Sequence, residues 1–227
     1  MKILKLLMGD IRFQFKYGFY FVYLVFALMY VILIKVLPGS WTNTMAILLI
    51  FSDPSALGLM FMGAIIHLEI SEKTINSLYI APIKPSDYLI AKLLSIALIS
   101  VLVGLFIGLS VQAITNYFWF ILGLLIGSML FSTLGLILAF KTSTLNQFFI
   151  SIIPAMILII IPGAAYCLGL NNPLFIFHPG IAIIELLSAG NYIFLSLVIL
   201  LIWLTIVFLI AQKVLVKKFK QGSGGRI

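Results

Sequence analysis

Residues 67–92, HLEISEKTINSLYIAPIKPSDYLIAK, form the one long polar interruption between apolar segments of this 227-residue chain. The stretch holds three of the six acidic residues (Glu69, Glu72, Asp87) and three of the fourteen basic ones (Lys73, Lys84, Lys92). What flanks it decides the fold class. The chain is 63% hydrophobic and only 9% charged, against about 25% charged for an ordinary globular chain. Apolar runs of about 20 residues, the length that crosses ~30 Å of hydrocarbon as a helix, recur on both sides. In lipid only helices and closed barrels satisfy their own backbone groups, and continuous rather than alternating apolar runs point to helices. The expected fold is an all-α polytopic membrane protein, one transmembrane domain over residues 1–221 with a flexible tail at 222–227.

Working outward, the reading places six spans at 18–37, 45–66, 89–113, 118–140, 148–170 and 192–211. Residues 1–17 are amphipathic on a helical period. Ile3, Leu4, Leu7, Ile11 and Phe15 share one face, and Lys2, Lys5, Arg12 and Lys16 project from others, as in a helix lying in the membrane interface. No apolar core followed by small residues marks a cleavable leader there. Pro38 and Gly39 make a turn, with Trp41 where an interfacial aromatic belongs. Inside the second span, Asp53 precedes Pro54. Proline interrupts helical bonding, so this span reads as broken, with Asp53 either capping a restarted helix or lining a pathway as a gate carboxylate. Gly123 and Gly127 form a small-residue face that allows close helix approach. Pro154 and Pro162 predict a kinked fifth span.

Residues 171–191 are apolar but too short and too interrupted to cross, split by His178-Pro179-Gly180. They read as one or two re-entrant helices in the outer leaflet. Glu185 lies on the second, as a solvated interfacial charge, as a partner of Lys35, or as a gate on an exit.

An even number of spans puts both termini on one side. With the termini inside, every one of the fourteen Lys and Arg residues except Lys35 is cytoplasmic, which the positive-inside rule demands. The expected location is therefore the cell membrane, multi-pass, with both ends and residues 68–88 in the cytoplasm. The basic residues mark loop ends and make no stripe interleaved with aromatics, so nucleic acid is not an expected partner; the lipid bilayer is. The single Cys167 excludes an intrachain disulfide and a CxxC site. His67 and His178 fall on opposite sides, and no HExxH, GxSxG or phosphate-loop motif occurs. The expectation is a non-enzyme, with no catalytic residues, metal site or cofactor on this chain.

Within the polar stretch, Thr74 to Ile80 has the pattern of a short helix. It stops before Pro82 because proline disfavours helix in the residue preceding it. Ser86 and Asp87 offer an N-cap for the helix entering the third span, with Lys92 at the interface. Apolar Ile75, Leu78, Tyr79 and Ile80 on a short cytoplasmic helix call for a partner groove.

Glu69, Thr74, Leu78, Pro82, Tyr88 and Lys92 match the pattern of the coupling-helix region of ABC type-2 exporter permeases, and the chain resembles that family over nearly its whole length. The runs at 13–20 (FQFKYGFY) and 51–55 (FSDPS) are similar to the fluoroquinolone-type drug-export subset of that family. The resemblance implies a permease subunit of an ATP-driven exporter, forming a path for a hydrophobic or amphipathic substrate. It implies two permease subunits, identical or sibling, and two separate ATPase chains that carry the ATP and magnesium. Partner-coupling residues would be Glu69, Glu72, Thr74, Leu78, Tyr79 and Pro82. The competing expectation is a membrane assembly or substrate-capture subunit with no energised transport.

Overall fold

A computed structural model describes residues 2–52, 57–75, 83–170 and 176–222. These form nine helices among the described residues: α1 (Lys2–Lys16), α2 (Phe19–Val36), α3 (Gly39–Ile50), α4 (Leu57–Ser71), α5 (Pro85–Ser110), α6 (Tyr117–Lys141), α7 (Leu145–Cys167), α8 (Pro179–Ser188) and α9 (Ile193–Gly222). Five of them, α2, α5, α6, α7 and α9, are long and apolar enough to cross a membrane. The chain is a polytopic helical membrane protein.

Helix α6 is the axis of the bundle, with 67% of its apolar window buried, and α4, α5, α8 and α9 pack around it. Small residues set these contacts. A Cβ on Gly135 would lie 2.3 Å from the Leu59 carbonyl oxygen of α4, and one on Gly58 would lie 2.6 Å from Ser132 Oγ of α6. Backbones can come this close only where side chains are missing. Gly123 and Gly127 do the same for α8, where Leu186 and Ile183 fill the space a Cβ would take. The GxxxG face is thus occupied by a short helix of the same chain. Helices α2, α7 and α9 keep large apolar side chains outward, Phe21, Ile150, Leu158 and Phe194 among them, as lipid-facing helices do.

The expected second span runs across two described helices. Helix α3 begins at Gly39, earlier than the apolar run suggested, and α4 continues to Ser71. With 12 and 15 residues, they are about 18 and 22 Å long at ~1.5 Å per residue, so neither matches a full span alone. Asp53 lies outside the described residues, as do its two readings. Helix α7 runs unbroken from Leu145 to Cys167 through Pro154 and Pro162. Pro162 has no N–H to give the Leu158 carbonyl. His178 Nε2 lies 2.9 Å from that oxygen and donates to it, while His178 Nδ1 accepts from Gly180 N and caps α8. His178 therefore replaces the bond that Pro162 removes.

Helix ends follow local chemistry. Asn116 caps α6 by accepting from the backbone N–H groups of Phe118 and Trp119. Thr144 caps α7 by accepting from Gln147 N, and Gln147 Oε1 reaches back to Ser143 N, a close relative of the capping box. Helix α5 starts one step before the expected Ser86–Asp87 cap. Lys84 holds the cap position, Pro85 is the first helical residue, and Asp87 sits in the first turn, where its charge meets the positive end of the helix. Helix α9 outruns its expected end at residue 211 and carries Lys213, Lys217, Lys218 and Lys220 on helical backbone. Buried Phe219, packed against Tyr88 with ring centroids 5.9 Å apart, ties this extension to α5.

Candidate functional site

The bundle has two chemically distinct ends. At one, α1, the C-termini of α4, α6 and α9 and the N-termini of α5 and α7 converge. This end bears the described basic residues other than Lys35.

Its centre is Lys92, fully buried on α5 at 0% exposure. The sequence placed this lysine at an interface; the structure buries it, because two carboxylates from other helices reach it. Lys92 Nζ donates to Asp10 Oδ1 of α1 and to Glu69 Oε1 of α4, each at 2.5 Å. The rings of Phe13 and Tyr88 lie 5.8 and 5.5 Å from the ammonium and add cation–π attraction. Tyr88 donates to the other Glu69 oxygen at 2.8 Å. Gln14, also buried on α1, donates to Ser95 Oγ at 2.9 Å, and Ser95 donates to the Lys92 carbonyl. One ammonium thus joins three helices, two of them consecutive and the third, α1, distant in sequence. Such a group is costly to desolvate and is retained where it fixes an arrangement. Burial pushes the Asp10 carboxyl above its ordinary range, and the adjoining Lys92 ammonium opposes that shift without cancelling it.

The polar stretch leaves the bundle directly from this knot. Helix α4 ends at Ser71, and Lys73 turns the chain in the left-handed conformation (φ 58°). Thr74 Oγ1 donates back to the Glu69 carbonyl at 3.1 Å. Exposed Glu72 accepts from the Tyr17 hydroxyl, which closes α1 onto the departing chain. Glu69, Glu72 and Thr74 are therefore brought together, with Glu69 at the base and Glu72 and Thr74 at the root of the stretch. Leu78, Tyr79 and Pro82 lie outside the described residues. Sequence reasoning found Glu69 and Lys92 but missed Asp10 and Gln14 as their partners. The available signal was the spacing of Asp10 and Gln14, which puts two polar groups on one face of α1, the face turned inward, with Tyr17 just past its end. The stripe that stays exposed is Leu4, Met8 and Phe15.

On α4, His67 Nε2 lies 3.1 Å from Thr142 Oγ1. The Thr142 hydroxyl donates to the Leu138 carbonyl, so the imidazole is the donor here. Thus α4 is fastened to the end of α6 as well.

At the opposite end, Glu185 of α8 is buried at 4% exposure. It accepts from the Tyr166 hydroxyl of α7 and, at 2.9 Å, from Tyr192 N at the start of α9. Two of the three sequence expectations need correcting. Glu185 is not a solvated charge, because α7 and the α8–α9 turn enclose it. It is not paired with Lys35, which is exposed on α2; both described ion pairs belong to Lys92. Gly190 leaves room for the carboxylate, since a Cβ there would lie 2.5 Å from Glu185 Oε2 and would displace it.

Comparison of the chain with protein-family models finds no match, and neither does comparison with curated proteins. Fold and site together define a multi-pass helical membrane protein with a charged, multiply fastened end and a further buried carboxylate, Glu185, at the other.

Proposed function

We propose that this chain is the permease subunit of an ATP-driven exporter, moving a hydrophobic or amphipathic compound and coupled to separate ATPase chains. The observation that carries this reading is the Lys92 knot at the root of residues 67–92. A partner that pushes on a surface loop moves only that loop. Here the loop starts beside Glu69 and ends in α5, the helix that carries Lys92, and α1 is bonded to both sides. Force applied to the stretch passes through short polar contacts to α1, α4 and α5 together. The resemblance of Glu69, Thr74, Leu78, Pro82, Tyr88 and Lys92 to the coupling region of ABC type-2 permeases supports the same role.

In this reading the Lys-rich end is cytoplasmic, as the positive-inside rule requires. Helices α3 and α4 together make the sixth crossing. Their contacts support this: Asn43 and Thr44 of α3 share a cavity with Glu185 at the far end, and His67 of α4 meets Thr142 at the Lys-rich end. Helix α8 is then the outer re-entrant piece, and α1 lies along the inner interface with Leu4, Met8 and Phe15 toward lipid. ATP-driven closure of the ATPase pair moves the residues from Ser71 to Tyr79, tilts α4 and α5, and opens a path between two permease subunits.

The test is Leu78→Asp, which places a charge on the apolar side of the proposed coupling segment. Stimulation of the ATPase by the permease should be lost while membrane insertion and elution of the purified protein stay unchanged. Full stimulation by the mutant would sink the proposal.

A further inference from the structure

The two buried carboxylate sites differ in one respect. Asp10 and Glu69 both have an ammonium at 2.5 Å. Glu185, buried to the same degree as Glu69, has only neutral donors, the Tyr166 hydroxyl and the Tyr192 N–H. No described cation reaches it. A carboxylate offers about four lone-pair positions, and two are accounted for. Glu185 also faces open space, a cavity of ≈250 Å³ between α3, α7 and α8. Asn43, Thr44, Tyr166, Cys167 and Ser188 line it with Glu185, and Ile47 and Ile184 form its apolar wall.

We propose that this cavity binds the ammonium group of an amphipathic amine. The chemistry selects this class. A buried carboxylate repels an anion, and a neutral polar ligand leaves the charge uncompensated. An ammonium has three donors, which the free positions of Glu185 and the hydroxyl and amide oxygens nearby can accept. Size agrees: drug-sized ligands occupy roughly 300–1,000 Å³, so this space takes a charged head and a few carbons, with the apolar remainder outside it. The amine is either a lipid headgroup or a soluble cargo molecule. Naming it as cargo rests on the exporter reading; the binding does not.

The chain's one cysteine, Cys167, lines the cavity and serves as a native reporter. The purified chain, in nanodiscs of phosphatidylglycerol, is labelled with 2-aminoethyl methanethiosulfonate and, separately, with its anionic 2-sulfonatoethyl counterpart. The ratio of the two rates cancels the reactivity of the thiol itself. Glu185→Gln should lower that ratio about tenfold, equivalent to ~1.4 kcal/mol. Asn43→Lys, an exposed change that leaves the Glu185 hydrogen bonds intact, should lower it comparably by supplying a competing ammonium, and it keeps the test decisive if Glu185→Gln does not fold. Hexylamine slowing the labelling identifies a soluble amine as occupant; phosphatidylethanolamine in the discs slowing it identifies the lipid headgroup. A ratio unchanged in the folded variants, or labelling that neither amine slows, overturns the proposal. No ATPase enters the assay, so failure here is distinct from failure of the exporter reading.

Discussion

Lys92→Met is expected to destabilise the protein by roughly 3–5 kcal/mol, the usual cost of removing one partner from a buried ion pair. Methionine fills much of the lysine's volume, so the loss is electrostatic rather than a cavity effect. Asp10 and Glu69 would be left as two buried carboxylates sharing one space. The expected signature is a fall in the midpoint of thermal aggregation in detergent, followed by size-exclusion chromatography. Neighbouring variants separate this account from a general sensitivity of α5. Asp10→Asn leaves a one-to-one pair between Lys92 and Glu69 and should cost under ~1 kcal/mol, because burial already disfavours charge at Asp10. The sign follows from linkage. A carboxyl whose folded pKa is raised binds more protons folded than unfolded, so its contribution falls as pH rises from the unfolded pKa through the folded one. Without Lys92 nothing opposes the upward shift of Asp10, and Lys92→Met should regain part of its loss as pH is lowered. The neutral triple variant Asp10→Asn/Glu69→Gln/Lys92→Met should recover most of it. Wild-type stability in Lys92→Met would mean that the three groups do not form a buried knot.

Gly135→Val is expected to be the most disruptive change in the membrane-embedded core. Its Cβ would sit 2.3 Å from the Leu59 carbonyl oxygen, and backbone cannot swing aside as a side chain can. Overpacking costs typically ~1–3 kcal/mol and occasionally more; this contact belongs at or above the upper end, since α4 would have to move off α6. Gly127→Ala is the control. There the Cβ would lie 3.2 Å from Ile183 Cδ1 and 3.3 Å from its Cγ1 and Cγ2, a crowding that a shift of a few tenths of an ångström in that side chain relieves. Replacing glycine by alanine in a helix gains about 1 kcal/mol, so Gly127→Ala should be near neutral. The paired measurement is the yield and thermal midpoint of folded protein in detergent. Equal behaviour of Gly135→Val and Gly127→Ala would remove the close α4–α6 crossing from the account.

Much of this architecture is written in local sequence. Run length and apolar continuity gave five long helices with ends within a few residues of those observed, apart from α9, because hydrophobic length is a property of each segment alone. The extension of α9 was not legible: Lys213 to Lys220 looks like a charged flank until Phe219 is seen to pack on Tyr88. Asn116 and the Thr144–Gln147 pair carried capping signals that a reading focused on apolar runs passed over. Site chemistry was half legible. Glu69, Tyr88 and Lys92 stand out singly within one stretch, and only the bundle shows that Glu69 accepts from both of the others. Asp10 and Gln14 join them from about eighty residues away, and only the packing of α1 on α5 reveals it. Glu185 was singled out for its charge, but its burial depends on Tyr166 and on the turn at Gly190, which no local pattern encodes. His178 shows the same limit: its role depends on a proline in another helix.

The central claim is that residues 67–92 receive force from a partner ATPase and that the Lys92 knot passes it to α1, α4 and α5. Its most direct test is capture of the tagged full-length chain from its native membrane after mild crosslinking, with the co-purified chains identified by mass spectrometry. The account predicts an ATP-binding-cassette ATPase in amounts comparable to the permease, crosslinked through residues 67–92, together with a second permease chain. Recovery of the crosslinked permease with no such ATPase attached would contradict it.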